Sequence, residues 1–229
     1  DIISVVVKLI FEKRVQLKYC GETVVSDDHK IVELLCEQDK IQNLTLSIRE
    51  RASAKNIKKI REFLKEYFDL MDVPENENEI TDFAIGKFKN LKSCYKELLG
   101  RYNGYNYPDR DTVQRALLTV SEILDCCGDS MTLISKILEM EEELEDMKED
   151  LEDVQEFFST QIDIFDEAVA LESMLRYDAD YFTDESAIKS AMVKIKEVVV
   201  ESPKKKGRFN YREIPVLNSL INTVKNEYA

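Results

Sequence analysis

Glycine, proline, histidine and tryptophan are scarce in this chain: six, four, one and none among 229 residues. With so few obligatory breaks, a composition rich in Glu, Lys, Leu and Ile favours helices joined by short connections. The glycines are dispersed and none opens a GxxxxGK(S/T) motif, so ATP should not bind by a phosphate-cradling loop. His29 has no serine, cysteine or acidic partner at a spacing used for nucleophilic catalysis, and no activity is expected of this chain. The cysteines at 20, 36, 94, 126 and 127 form no CxxC pair and have no histidine cluster beside them. That disfavours a zinc site or a disulfide framework and suits a reducing compartment. No apolar run approaches the ~20 residues of a membrane span, and DIISVVVKLIF lacks the layout of a signal peptide. A cytoplasmic protein is expected, in which the sequon Asn43-Leu44-Thr45 has no meaning. Because Asp1 rather than methionine opens the chain, a piece of a longer protein is expected. Positive charge is also short: 32 Lys and Arg against 46 Asp and Glu leave a net charge of -14, which disfavours general affinity for nucleic acid.

What is present falls into two zones, 1–52 and 53–229. In the first, ISVVVKLIFEKR reads as the end of a helix, VQLKY and TVV as strands around a Gly21 hairpin, and DDHKIVELLCEQ as a short helix with Asp27 or Asp28 as cap. NLTLSIRER alternates Leu44, Leu46 and Ile48 against polar neighbours and reads as a third strand. The element order of this small α/β unit admits a winged-helix-like fold. From Ser53 onward the period is helical. One stripe runs through Ile57, Ile60, Phe63, Leu64, Tyr67, Phe68 and Met71, and DVPENENE ends it. Ile80 to Tyr102 make a second helix, and Val113 to Leu124 a third, with Asp109 or Asp111 as cap. Thr183 or Asp184 opens a later helix, and Pro215 lies near the first turn of the last. The expected fold is mainly α: an amphipathic helical bundle or elongated helical array behind the small α/β unit.

The segment EMEEELEDMKEDLEDVQEFF, residues 139–158, holds eleven acidic side chains and one lysine in its first eighteen positions. Met140, Leu144, Met147, Leu151, Val154, Phe158 and Phe165 keep the three-four rhythm of a heptad seam, interrupted only at Gln161. The seam must face inward and the carboxylates outward, giving one long coiled-coil-like helix with a solvated acidic face. The rival role for that face is a docking surface for a basic partner.

Two basic patches oppose the overall sign. Arg49, Arg51, Lys55, Lys58, Lys59, Arg61 and Lys65 share a stretch with only two glutamates, and PKKKGRF adds Lys204, Lys205, Lys206 and Arg208. Each is a candidate contact for a partner or for nucleic acid. The alternative use of these residues is a solvated helix face that complements acid elsewhere in the molecule, with a mobile lysine loop. Acidic pairs are too plentiful to single out a catalytic or metal-binding pair, so no catalytic, cofactor or metal residue is assigned.

Over residues 73–220, VPENENE before a helix, YPDRDTVQRAL, EDLEDVQEFFSTQIDIFDEA and EIPVLNSLI occur in an order and spacing that resemble the BrxC family. These are the large P-loop ATPases of bacteriophage-exclusion (BREX) systems. LTLSIRER leading into Ser53 is similar to that family's approach to its helical region. The resemblance implies a helical scaffold or lever within a DNA-modifying antiviral complex, with other BREX proteins as partners and no membrane. ATP and magnesium would then belong to a domain upstream of this piece. The alternative is a nucleic-acid-binding module using the first zone and the basic helix beside it, which a salt titration of duplex DNA binding would reveal.

The heptad register makes a direct prediction. Leu151→Asp buries an unpaired carboxylate and should lower stability by several kcal/mol, whereas Glu152→Lys on the solvated face should change it by about half a kcal/mol or less. Thermal melts of the two variants measure the difference, and equal melting temperatures would refute the register.

Overall fold

The computed structural model describes residues 2–12, 14–24, 28–48, 50–177, 186–205 and 207–228. Helix α1 (Ile2–Phe11) leads into a hairpin of β1 (Val15–Tyr19) and β2 (Glu22–Thr23). Cys20 and Gly21 turn it with positive φ angles of 52° and 89°, the second of which glycine adopts without strain. Next come α2 (Asp28–Cys36), the single turn α3 (Gln38–Ile41) and β3 (Leu44–Ile48), which pairs antiparallel with β1 to give the sheet order β2-β1-β3. Ile10, Leu17, Ile31 and Leu35 form a small core here, with Val6, Val7, Val15, Val24 and Leu44 packed against it.

Two details differ from the sequence pattern. Leu46 and Ile48 are 44% and 85% exposed, because β3 is the edge strand and the small core lies against β1. In addition, α3 has only four residues, far short of the second helix that a DNA-binding helix pair lays in the major groove. The expected cap Asp27 lies outside the described residues.

The change at residues 52–53 is a change of local structure, from sheet to helix. By compactness the chain divides along other lines: Asp1–Ser93 with Leu118–Glu143 form one unit, and Cys94–Leu117 with Leu144–Ala229 the other. In the first, Ser53 caps α4 (Ala54–Tyr67) by accepting from the Asn56 N–H at 3.1 Å. This helix buries Ile60, Phe63, Leu64 and Tyr67 and packs on α7 (Ser130–Glu139), which Asp129 caps through the Thr132 N–H. Beyond Phe68 the backbone of Asp69 turns left-handed, with φ 50°, so the apolar stripe stops there and Met71 is fully exposed. Ile80, Ala84 and Phe88, on the first part of α5 (Glu77–Gly100), complete this core, Phe88 meeting the rings of Tyr67 and Phe68.

The second unit is organised by the acidic helix, α8 (Glu141–Glu156), which continues through a π-helical turn (Phe157–Gln161) into α9 (Ile162–Leu175). The seam residues from Leu144 to Phe165 are buried, as is Ala168. Gln161, where the heptad rhythm fails, ends the π-turn. At its start Phe157 and Phe158 follow Val154 at i+3 and i+4 on one face, and both rings are buried. A π-turn loosens the carbonyls of the preceding turn, and the local sequence satisfies them. Ser159 and Thr160 hydroxyls both donate to the Glu156 carbonyl at 3.0 Å, and the Arg101 guanidinium donates to the Phe158 carbonyl at 2.9 Å while lying over that residue's ring.

Helix α10 (Ala187–Lys196) is capped by Ser186; the openings expected at Thr183 or Asp184 lie outside the described residues. A second π-turn (Glu197–Glu201) carries the buried Val198 and Val199. Short 3-10 turns at Ser202–Lys204 and Tyr211–Glu213 lead to α11 (Ile214–Tyr228), with Pro215 in its first turn, and α9, α10 and α11 pack together. Among the described residues no helix is long and apolar enough to cross a membrane.

Its burial predicts that Phe157→Ala should destabilise the protein by about 3–5 kcal/mol. Gln155→Ala, at an exposed position of the same helical run, should be nearly silent. Urea unfolding of the two variants checks the difference.

Candidate functional site

Seven aromatic residues of the second unit form one contiguous cluster: Tyr102, Tyr107, Phe157, Phe158, Phe165, Phe209 and Tyr211. Most contacts are edge-to-face with centroids 5.1–6.4 Å apart, the arrangement favoured by ring quadrupoles. Buried phenols still need partners. The Tyr102 hydroxyl donates to the Pro108 carbonyl at 2.9 Å, and that of Tyr107 to Asp166 Oδ2 at 3.1 Å. Burial, with the Asp166 carboxylate adding to it, pushes the Tyr107 phenol up to about 12.

At the edge of this cluster Asp109 joins two segments a hundred positions apart. Sequence spacing offered it as a helix cap, but its backbone is left-handed (φ 59°) and its carboxylate points elsewhere, accepting from the Phe209 N–H at 3.2 and 3.3 Å. It still closes the first turn of α6 (Arg110–Asp125), through its carbonyl rather than its side chain. The buried Tyr211 hydroxyl interacts with the same carboxylate, at a geometry that leaves it short of a full hydrogen bond. Burial raises the Asp109 carboxyl above the usual aspartate range, against the lowering pull of Tyr211, the Phe209 N–H and Arg208.

Arg208 is the second tether. Its guanidinium reaches Asp150 at 2.9 Å and Asp153 at 2.5 Å on α8 and donates to the Glu149 carbonyl at 3.5 Å. All three side chains are partly exposed, so the clamp positions the loop more than it stabilises the fold. Between the two tethers lies a cleft of about 530 Å³, walled by Tyr107, the start of α6 and loop residues 202–205 and 207–209. Arg110, Arg115, Lys204 and Lys205 line it, together with Asp111.

The candidate residues read from the sequence therefore have different roles. Lys55, Lys58 and Lys59 are exposed on α4, with Lys58 3.8 Å from Glu62. Arg61 is drawn inward, bonding the Val73 carbonyl and Glu75 at 3.2 Å each. This patch belongs to the first compact unit, whereas residues 204–208 belong to the second. Lys204 and Lys205 wall the cleft, Arg208 is engaged by α8, and Lys206 and Arg49 lie outside the described residues. Asp109, Arg110, Arg115 and Asp150 escaped notice as site residues. Only the landmark YPDRDTVQRAL contained three of them, and nothing local to it signals a partner loop some ninety positions downstream. Among the described residues no group of three or more His, Cys, Asp or Glu is placed to hold a metal ion.

Fold and cleft together define a mainly α-helical protein module. Residues 56–180, more than half of the chain, match the family model described as BREX ATP-binding protein BrxC alpha helical domain, and the chain belongs to that family. This gives it a role in a BREX phage-defence system, with the match falling on the helical domain of the ATP-binding protein. No solved structure matches the chain.

Asp109 supplies a pH test. A carboxyl raised on folding favours the native state while protonated, and that contribution is lost as pH rises through its native value. Asp109→Asn keeps an acceptor for the Phe209 N–H and tolerates the left-handed backbone, so its melting temperature should approach that of the parent in acid and exceed it increasingly toward neutrality. Asp109→Ala loses the acceptor and strains the turn, costing roughly 2–4 kcal/mol. Melting curves of all three proteins across the acid range provide the check.

Proposed function

We propose that this chain is a non-catalytic interaction and scaffold module of a BREX-type ATPase, acting in the cytoplasm through contacts with other proteins of the antiviral complex. The observation that carries it is the helical run from Leu144 to Leu175, close to 50 Å at 1.5 Å per residue, locked along its inner face by the aromatic cluster. Such an element moves as a rigid body between discrete arrangements, which suits a part that relays nucleotide-driven motion made elsewhere in the parent protein. Its outer face supports the same assignment to a solvated rod: Glu142, Glu145, Glu149 and Glu152 are exposed.

Two measurements test the proposal. The isolated chain should release no phosphate from ATP above the buffer rate; turnover would make it an enzyme. In cells carrying a complete BREX operon, a tagged chain should co-purify with a protein encoded by that operon. Charge reversal of Glu142, Glu145 and Glu149 to lysine should leave that co-purification and the circular dichroism spectrum intact. Absence of every operon-encoded protein from the wild-type lane would refute the scaffold role, and its loss only from the variant lane would make the acidic face the docking surface.

A further inference from the structure

The cleft beside Asp109 is lined by five cationic side chains against three carboxylates. Arg208 and Asp150, both in its wall, pair with each other, and Asp109 is held by the Phe209 N–H. Four cations remain, Arg110 and Arg115 from α6 and Lys204 and Lys205 from the loop, against two lining carboxylates, Asp109 and Asp111. None of the four has an ion pair within the described residues; Arg115 makes only a long 3.4 Å bond to the Thr112 hydroxyl. In a chain of net charge -14 these cations would find solvated partners on almost any other face, yet two separate segments turn them toward a shared space. The Arg208 and Asp109 tethers hold the loop where that space stays formed.

We propose that this cleft is a binding site for a compact, multiply charged phosphate anion, either free or as the phosphate tail of a nucleotide. Guanidinium forks and ammonium groups from opposite walls match a small tetrahedral anion through charge-assisted hydrogen bonds. A volume of about 530 Å³ is that of a small-ligand site. An extended nucleic acid would instead need a continuous basic track, which the acidic outer face of the neighbouring α8 opposes. The site differs from the scaffold surfaces and would give the module a way to respond to phosphate ligands without a phosphate loop.

Calorimetric titration of the whole 229-residue chain tests this, using pyrophosphate, ATP and adenosine as separate probes. Saturable one-to-one binding of pyrophosphate is expected, with none for adenosine. Comparable affinity for ATP would identify the phosphate groups as the feature recognised, and much tighter ATP binding would assign the site to nucleotides. The double variants Arg110→Gln/Arg115→Gln and Lys204→Gln/Lys205→Gln should each weaken binding roughly tenfold or more, while Lys58→Gln/Lys59→Gln, outside the cleft, should not. All three pairs change exposed side chains, and circular dichroism confirms that the fold is retained. Absence of saturable pyrophosphate binding, equal weakening by the Lys58/Lys59 control, or tighter, steeply salt-dependent binding of a single-stranded oligonucleotide would overturn the proposal.

Discussion

The second compact unit depends on the burial of two adjacent phenylalanines on one helix. Phe157 and Phe158 follow Val154 at the i+3 and i+4 steps of one helix face, and from Phe157 onward the winding widens to π, where the backbone must find new partners for its loosened carbonyls. Ser159, Thr160 and Arg101 supply them, and the two rings then anchor Tyr102, Tyr107, Phe165, Phe209 and Tyr211. Each aromatic contact adds about a kilocalorie or so beyond its buried area, but the cluster also fixes position. By immobilising the Tyr107 turn and the Phe209 segment, it brings the beginning of α6 and the lysine loop to the same cleft.

That dependence explains which parts of the molecule could be read from sequence. Periodicity reports which face of an element is apolar, and where a face is wide and continuously buried it reported correctly: Leu144, Met147, Leu151, Val154 and Phe165 all lie inside. It fails beside a seam and where backbone geometry changes. Phe157 fell off the heptad because a strict two-per-seven seam omits the flanking position that a wider apolar stripe buries, while the irregularity at Gln161 marked the π-turn. Met71 fell on the stripe of α4 because its spacing was right, but Asp69 had already turned the chain out of the helix. At β3, alternation was present without burial, because a sheet edge has too little covering it to hide Leu46 and Ile48.

The charged candidates show a different boundary. A run such as PKKKGRF announces positive charge but not where its partners lie, and Arg208 finds them on α8 in the acidic segment that looked most thoroughly solvated. Asp109 was visible as a residue suited to a helix start, and it does adjoin one, yet its carboxylate serves a tertiary contact instead. A helix cap and a long-range acceptor need the same short acidic side chain, so the sequence cannot separate the two roles. Family membership agrees with the helical character and with the landmarks between residues 73 and 168, whereas the lysine loop and EIPVLNSLI lie beyond the matched region, 56–180.

The discontinuity of the second unit also bears on its biosynthesis. The bond from Phe209 to Asp109 closes a loop of 100 residues, and the aromatic cluster is incomplete until Phe209 and Tyr211 exist. At ordinary translation rates that interval lasts on the order of 5–20 seconds. Tyr102 and Tyr107 from its start, and the rings of the acidic helix from about its midpoint, have been made but cannot complete their native packing. The dense carboxylates on α8 then act in the nascent chain as well as in the finished fold: mutual repulsion and strong hydration keep a strip of waiting aromatic surface from associating with its neighbours on a polysome.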